Sequence, residues 1–187
     1  MHLHFSVHEN LKDKMQRTIE VLKDDLKSVR AGRANPALLD RISVEYYGTP
    51  TPLKQLSNIS APEPRLIVIQ PFDPSIMQDI EKAINQSELG INPSNDGKVI
   101  RLAVPQLTEE TRKEITKLVK KMGEDAKIAL RNERRHANDE LKKLQKDGEL
   151  TEDDLKGSLD EVQEMITQSV KKVDEIIEDK EQEILEV

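Results

Sequence analysis

Residues 105–155 read PQLTEETRKEITKLVKKMGEDAKIALRNERRHANDELKKLQKDGELTEDDL. This stretch decides the fold. Pro105 closes the preceding segment, and Thr108, followed by Glu109 and Glu110, opens a helix as its N-cap and acidic first turn. Ile115, Leu118, Val119, Met122, Ala126, Ala129, Ala137, Leu141 and Leu144 then recur at steps of three, four or their multiples, which is the helical period. Asp147-Gly148 breaks the pattern, and Thr151 to Asp154 resembles a capping box with Asp in place of the usual Glu or Gln. A second helix follows, its stripe carried by Leu155, Leu159, Val162, Ile166, Val173, Ile176 and Ile184. At ~1.5 Å per residue each of these two helices spans about 50–60 Å.

Working outward, the same period occurs near the start of the chain, at Leu11, Met15, Ile19, Leu22, Leu26 and Val29, and ends at Gly32 and Pro36. Between the first helix and the second the texture differs. Ile42, Val44 and Tyr46 alternate with polar residues and lead into Tyr47-Gly48-Thr49-Pro50, a strand and a turn. Leu66–Ile69 reads as a short buried strand, Asp73-Pro74 opens a helix to about Leu89, and Val99–Val104 is another strand. Three amphipathic helices that cannot bury their stripes alone predict an antiparallel bundle. The fold class expected is therefore two-domain α+β. A discontinuous three-helix bundle, residues 1–30 with 106–187, carries a small inserted β/α/β domain, residues 31–105.

Composition narrows the function. The 187 residues are 35% charged and 35% hydrophobic, with no Cys and no Trp. Lack of Cys excludes disulfides, thiol nucleophiles and Cys-ligated metal. Phe5, Tyr46, Tyr47 and Phe72 are the only aromatics, too few for a base-stacking platform. No apolar run approaches the length of a membrane span, and no signal-peptide pattern opens the chain, so a soluble cytoplasmic protein is expected. No Gly-rich phosphate loop and no nucleophile-and-base pair stand out, and neither an enzyme nor a cofactor is expected. His4 and His8 lie one helical turn apart, but no acidic residue at a metal-protease spacing joins them, and no metal is expected.

The charge is unevenly spread. The chain totals -7, yet residues 111–146 hold twelve basic and six acidic residues, and residues 147–187 hold four and fifteen. On a helical projection at ~100° per residue, Lys113, Lys117, Lys120, Lys127, Arg131, Arg134 and Arg135 fall within about 100° of one another, opposite the apolar stripe. Among residues 111–146, Glu124 is the one acid in that sector. A solvated helix face normally mixes signs to gain pairs one turn apart. The stripe forgoes most of them, which favours contact with phosphates. Lys27, Arg30 and Arg33, where the first helix ends, suit either helix-dipole complementation or further phosphate contact. Glu133 is a misfit, projecting onto the apolar side, where it sits at the bundle's edge or pairs with a basic residue of another helix.

Five stretches also carry a resemblance. Val29-Arg30-Ala31-Gly32-Arg33-Ala34-Asn35-Pro36, Val44 to Leu53 (VEYYGTPTPL), Ser87 to Pro93 (SELGINP), Pro105 to Glu110 (PQLTEE) and Arg131 to Arg135 (RNERR) occur in the order seen in bacterial ribosome recycling factors. The chain resembles that family over nearly its full length. It departs at Glu133, where an apolar residue is common, at Thr111, where Arg is common, and in the His-rich residues 1–8. The resemblance implies an L-shaped molecule similar in outline to transfer RNA, with a hinge between bundle and inserted domain. It implies a cytoplasmic monomer that binds large-subunit ribosomal RNA at the subunit interface of the post-termination ribosome, away from any membrane. There the family acts with elongation factor G, whose GTP hydrolysis drives subunit separation. Carried over residue by residue, Arg30, Arg33, Arg112, Arg131 and Arg134 contact the RNA. The basic stripe adds Lys127 and Arg135, agrees on Arg131 and Arg134, and leaves Arg112 at the edge of the apolar side. The expected hinge comprises Arg30, Ala31, Gly32, Val104 and Pro105. The rival reading, a coiled-coil chaperone or adaptor without RNA, differs in salt dependence: only phosphate contact predicts ribosome binding that falls steeply with salt.

Overall fold

The computed structural model describes residues 3–185, with side chains from Ser6 onward. It divides into two compact units: residues up to Leu26 with Thr116–Gln182, and Lys27–Ile115 with the residues from Glu183.

The first unit is helical. It is built from α1 (Leu3–Lys27), most of α4 (Glu109–Lys146) and most of α5 (Glu152–Leu185). Cross-helix contacts fix the directions. His8 meets the Ser158 carbonyl and Glu161, and Met15 meets Ser169, so α1 and α5 run parallel. Lys127 meets Asp174 and Arg134 meets Gln163, so α4 runs against α5, and hence against α1. This is the antiparallel three-helix bundle that the apolar spacing predicts. Its core holds Leu11, Val119, Leu130, Leu141, Val162, Ile166 and Val173, all fully or nearly fully buried. Leu130 lies outside the expected stripe yet is fully enclosed, whereas Leu118, expected in the stripe, stays half exposed.

The α4–α5 corner shows how local sequence ends one helix and starts the next. Gly148, at φ +81°, takes the left-handed position; its N–H donates to the Gln145 carbonyl and that of Glu149 to the Leu144 carbonyl. Asp154 N–H then donates to Thr151 Oγ1 at 3.0 Å, and Thr151 N–H reaches back to Asp154 Oδ2 at 3.4 Å. The capping box is thus formed with Asp in the acidic place. At the other end of α4, Thr108 Oγ1 accepts from Thr111 N–H at 3.0 Å, as its N-cap role predicts.

In the second unit, β1 (Ser43–Tyr46) and β2 (Thr49–Pro52) form an antiparallel hairpin. The single turn α2 (Leu53–Leu56) leads into a four-stranded antiparallel sheet. Its order is β3 (Ser57–Glu63), β4 (Leu66–Pro71), β6 (Ile100–Ala103), β5 (Pro93–Asn95). Helix α3 (Met77–Gln86) follows a short 3₁₀ turn over Pro74–Ile76 and supplies Ile80 and Ile84 to the core, with Ile67 and Ile69 of β4 and Ile100 and Leu102 of β6. The strict alternation in β4 and β6 is that of a sheet buried on one face. The sheet is larger than the β/α/β expected from the sequence. The strands without a sequence signal are β2, which reads Thr-Pro-Thr-Pro, and the sheet edges β3 and β5, which are mostly exposed. An edge strand needs no apolar alternation and tolerates proline. Helix α3 ends at Gln86, three residues before the expected Leu89.

Asp96 closes the turn before β6. Its carboxylate accepts from the N–H groups of Lys98 and Val99 at 2.9 Å and from Arg101 Nη1 at 2.8 Å. These donors, the Val99 N–H foremost, hold the carboxyl well below the usual carboxylate range. A carboxylate with a depressed pKa contributes stability above its ordinary value and loses it as pH falls toward the depressed one. Asp96→Asn is therefore expected to lower the unfolding temperature at pH 7 and to shrink its drop between about pH 4 and pH 2. Thermal melts of both proteins across that range check this.

Candidate nucleic-acid interface

Five of the stripe's cations, Lys113, Lys117, Lys120, Arg131 and Arg135, are exposed as their projection predicts. Lys113 lies in the second unit, and the others lie on the bundle's stretch of α4. Lys113 stands 3.9 Å from Glu109, a loose exposed pair. Arg134 is half-buried, and its Nη1 donates to Gln163 Oε1 of α5 at 3.0 Å, which orients the guanidinium.

Lys127 departs from the expectation of an outward cation. Its side chain is only 17% exposed, and its Nζ lies 2.5 Å from Asp174 of α5 and 3.6 Å from Glu124. The hydrogen bond to Asp174 raises its pKa, against the opposing effect of burial. A raised lysine keeps its contribution through neutral pH and loses it only as pH climbs through the raised value. Lys127 ties two helices together; the free cationic row of this unit is Lys117, Lys120, Arg131, Arg135 and the edge of Arg134. The signal was hidden because the partner acid sits 47 residues along the chain, on another helix.

The second unit brings its arginines together differently. Arg33 is exposed. Arg30 is half-buried, with its Nη2 donating to the Pro105 carbonyl at 3.3 Å and its Nε enclosed without a partner among the described residues. Arg112 is also half-buried, its Nε likewise enclosed without a partner among the described residues. Gly32 adopts φ +77°, and a Cβ built there comes within 3.3 Å of Leu107 Cγ. The Gln106 amide oxygen accepts from the Arg65 guanidinium, and Val104 N–H donates to the Arg65 carbonyl at 2.8 Å. The segments around Arg30–Gly32 and Val104–Leu107 thus run side by side and touch.

Glu133 is half-buried and meets no basic partner among the described residues. Its Oε1 accepts from Thr18 Oγ1 of α1 at 2.6 Å, and its Oε2 is enclosed without a partner among the described residues. It lines a 450 Å³ groove between α1 and α4 with Val21, Leu22, Met122 and Ala129. An enclosed polar atom without a partner costs about 1–3 kcal/mol. Thr18 keeps a second acceptor, the Lys14 carbonyl. Glu133→Leu is expected to raise stability by about 1 kcal/mol, read as a higher midpoint in urea unfolding.

His8 is engaged on both ring nitrogens, by Glu161 and the Ser158 carbonyl, each at 3.2 Å. The His4 side chain lies outside the described residues. Among the described residues no group of His, Asp or Glu is placed to hold a metal ion. No helix among them is long and apolar enough to cross a membrane.

A family profile described as "Ribosome recycling factor" matches residues 22–185. The chain belongs to the ribosome recycling factor family. A ribosome-recycling factor of Alkaliphilus oremlandii is 64% identical over 181 residues, 97% of this chain and 98% of the relative. Those of Alkaliphilus metalliredigens and Clostridioides difficile are 60% and 54% identical, covering 99% and 97% of this chain and 100% and 98% of the relatives. Among solved structures, a solution structure of ribosome recycling factor aligns over the whole of both chains with a TM-score of 0.79 and 36% identity. A second, 43% identical with a TM-score of 0.68, covers 99% of this chain and all of that one. It describes models for the T. thermophilus ribosome recycling factor and the E. coli elongation factor G bound to the E. coli post-termination complex. Seen from the family, the bundle and the small β-containing unit are the expected two parts of a recycling factor. Lys127 and Glu133 are positions where this member's helices carry polar contacts with one another.

Proposed function

We propose that this recycling factor binds the post-termination ribosome as a cytoplasmic monomer and, with elongation factor G and GTP, promotes separation of the subunits. It has no catalytic role and no cofactor of its own; GTP is the elongation factor's substrate. In this reading residues 1–30 and 106–187 act as the ribosome-binding bundle and residues 31–105 as the inserted domain. Arg30, Ala31, Gly32, Val104 and Pro105 form the hinge, and the domain angle changes as the subunits part. Arg131, Arg134 and Arg135 contact large-subunit ribosomal RNA, joined by Arg33 and by the outer edges of Arg30 and Arg112. Lys127 is left out of the contact set because Asp174 occupies it.

The observation that carries the reading is the exposed cationic row on α4 in a chain whose net charge is -7. A face that concentrates positive charge against the molecule's own balance suits a polyanion. Phosphate neutralisation releases counterions, so affinity falls with salt by close to one logarithmic unit per contact for each tenfold rise. Ribosome binding measured from 50 to 300 mM salt is expected to fall with a slope of about -3 or steeper. A flat profile would remove RNA contact from the account.

A further inference from the structure

The described aromatic side chains, Tyr46, Tyr47 and Phe72, all belong to the second unit, and the proposed function uses none of them; Tyr46 and Tyr47 meet, and Tyr46 bonds to Asp73, the residue after Phe72, which defines one corner of the unit. We infer that this corner is a docking surface for a protein segment that presents an arginine side chain. Tyr47 is 88% exposed and Phe72 69% exposed, more than any other large hydrophobic side chain described. Tyr47 is also the one described non-glycine residue at positive φ, +50°, and with Gly48 at +77° it makes the β1–β2 turn. That turn position favours Asn, Asp or Gly, and a bulky ring there is strained. Inside the fold the ring gains only its edge-to-face contact with Tyr46, and the rest of it faces solvent. Backbone strain of this kind is held where the presented group has work outside the molecule.

The corner is also rigid. The Tyr46 and Tyr47 rings meet edge to face, with centroids 4.5 Å apart. Tyr46 Oη donates to Asp73 Oδ2 at 3.3 Å, and Asp73 Oδ1 accepts from the Ser75 N–H at 3.0 Å and the Ser75 hydroxyl at 2.7 Å. The Ser75 hydroxyl, ahead of its N–H, keeps the Asp73 carboxyl ionised below its ordinary range. Phe72 N–H donates to the Leu56 carbonyl at 3.0 Å, which fixes the backbone beneath its ring. An exposed ring, the half-buried ring it packs on, and a fixed carboxylate bonded to the latter match one chemistry well. A guanidinium stacks on aromatic faces and pairs with a carboxylate, and it keeps its charge at every working pH. A nucleic-acid strand fits poorly, since residues 36–104 carry eight acids against six basic residues and would repel its phosphates.

The inference rests on the proposed function only for its biological setting, so the experiment has one arm that needs no ribosome. The chain has no Trp and two Tyr, both in this corner, so tyrosine emission reports the corner alone. Titrating the full chain with the peptide acetyl-Gly-Arg-Gly-Arg-Gly-amide should change that emission at least threefold more than the citrulline analogue does. The change should vanish in Asp73→Asn combined with Phe72→Ala. An equal response to both peptides, or none, overturns the inference. On purified post-termination ribosomes with elongation factor G, benzoylphenylalanine at position 47 should cross-link to a protein peptide containing arginine. A cross-link to ribosomal RNA overturns the inference. Tyr47→Gly relieves the strained turn, so its melting temperature should hold or rise while subunit splitting falls at least tenfold. Splitting at the unaltered rate in Tyr47→Gly contradicts a docking role. If the unaltered chain neither binds nor splits ribosomes, the proposed function fails, and the peptide arm still decides for or against the corner.

Discussion

Replacing Arg131 and Arg134 together by glutamate is expected to weaken ribosome binding by roughly 10²- to 10³-fold at ~0.1 M salt, about 3–4 kcal/mol. Arg131 is exposed, and Arg134 makes its one described hydrogen bond to Gln163 from the edge of the bundle. Neither substitution opens a cavity, so each costs the fold within ~0.5 kcal/mol, as surface changes usually do. Reversal does more than neutralisation, because a lost phosphate contact becomes a repulsion. The two positions lie one helical turn apart and share a local field, so their effects are not expected to add simply. The salt slope should flatten by about two, one for each lost contact. Filter binding or sedimentation across a salt series, with circular dichroism as the control for folding, checks both parts.

Leu130→Ala is expected to be the most damaging single truncation in the bundle, at about 3 kcal/mol within the usual 2–5 for a buried leucine. Leu130 is fully buried on α4, between the interhelix contacts of Lys127 and Arg134. A whole domain is stable by only about 5–15 kcal/mol, so this loss is a large fraction. The opposite error at Gly123 should cost nearly as much. A Cβ built there lies 2.7 Å from Ile177 Cγ1 of α5, and Gly123→Val is expected to cost about 2–3 kcal/mol through overpacking. Gly123→Ala sets a gain of about 1 kcal/mol in helix propensity against a smaller clash, so it should fall between that variant and the unaltered protein. Urea unfolding of all three variants provides the comparison.

The helical bundle was legible in the sequence because each helix shows its buried face as a period. Its ends were legible because Thr108, Gly148 and the Thr151–Asp154 pair are chemically specific caps. Tertiary packing set the width of the stripe, and one helix's pattern does not show that. Leu130 projects just beyond one edge of the stripe, yet α4 is covered there; Leu118 projects to the opposite edge and is not covered. The edge strands β3 and β5 carry little sequence signal, because a strand with solvent on one side and at its rim needs little apolar patterning. The cationic stripe was half legible. Helical geometry places Arg131 and Arg135 outward without reference to any neighbour. Lys127, however, is claimed by an acid on another helix, and no local pattern announces that pairing. Glu133 was visible as a misfit, but its partner was not: the contact is a hydroxyl, Thr18, rather than the basic residue its charge suggested.

Separation of ribosomal subunits in concert with elongation factor G is the role proposed for this chain. The most direct test is light scattering of purified post-termination ribosomes mixed with the protein, with elongation factor G and GTP present or withheld. A fall in scattering, as 70S particles become subunits, is expected only when protein, factor and GTP are all present, with a strongly reduced rate for the Arg131→Glu/Arg134→Glu protein. Splitting that proceeds equally with the factor or GTP withheld, or no splitting with all three present, would contradict that role.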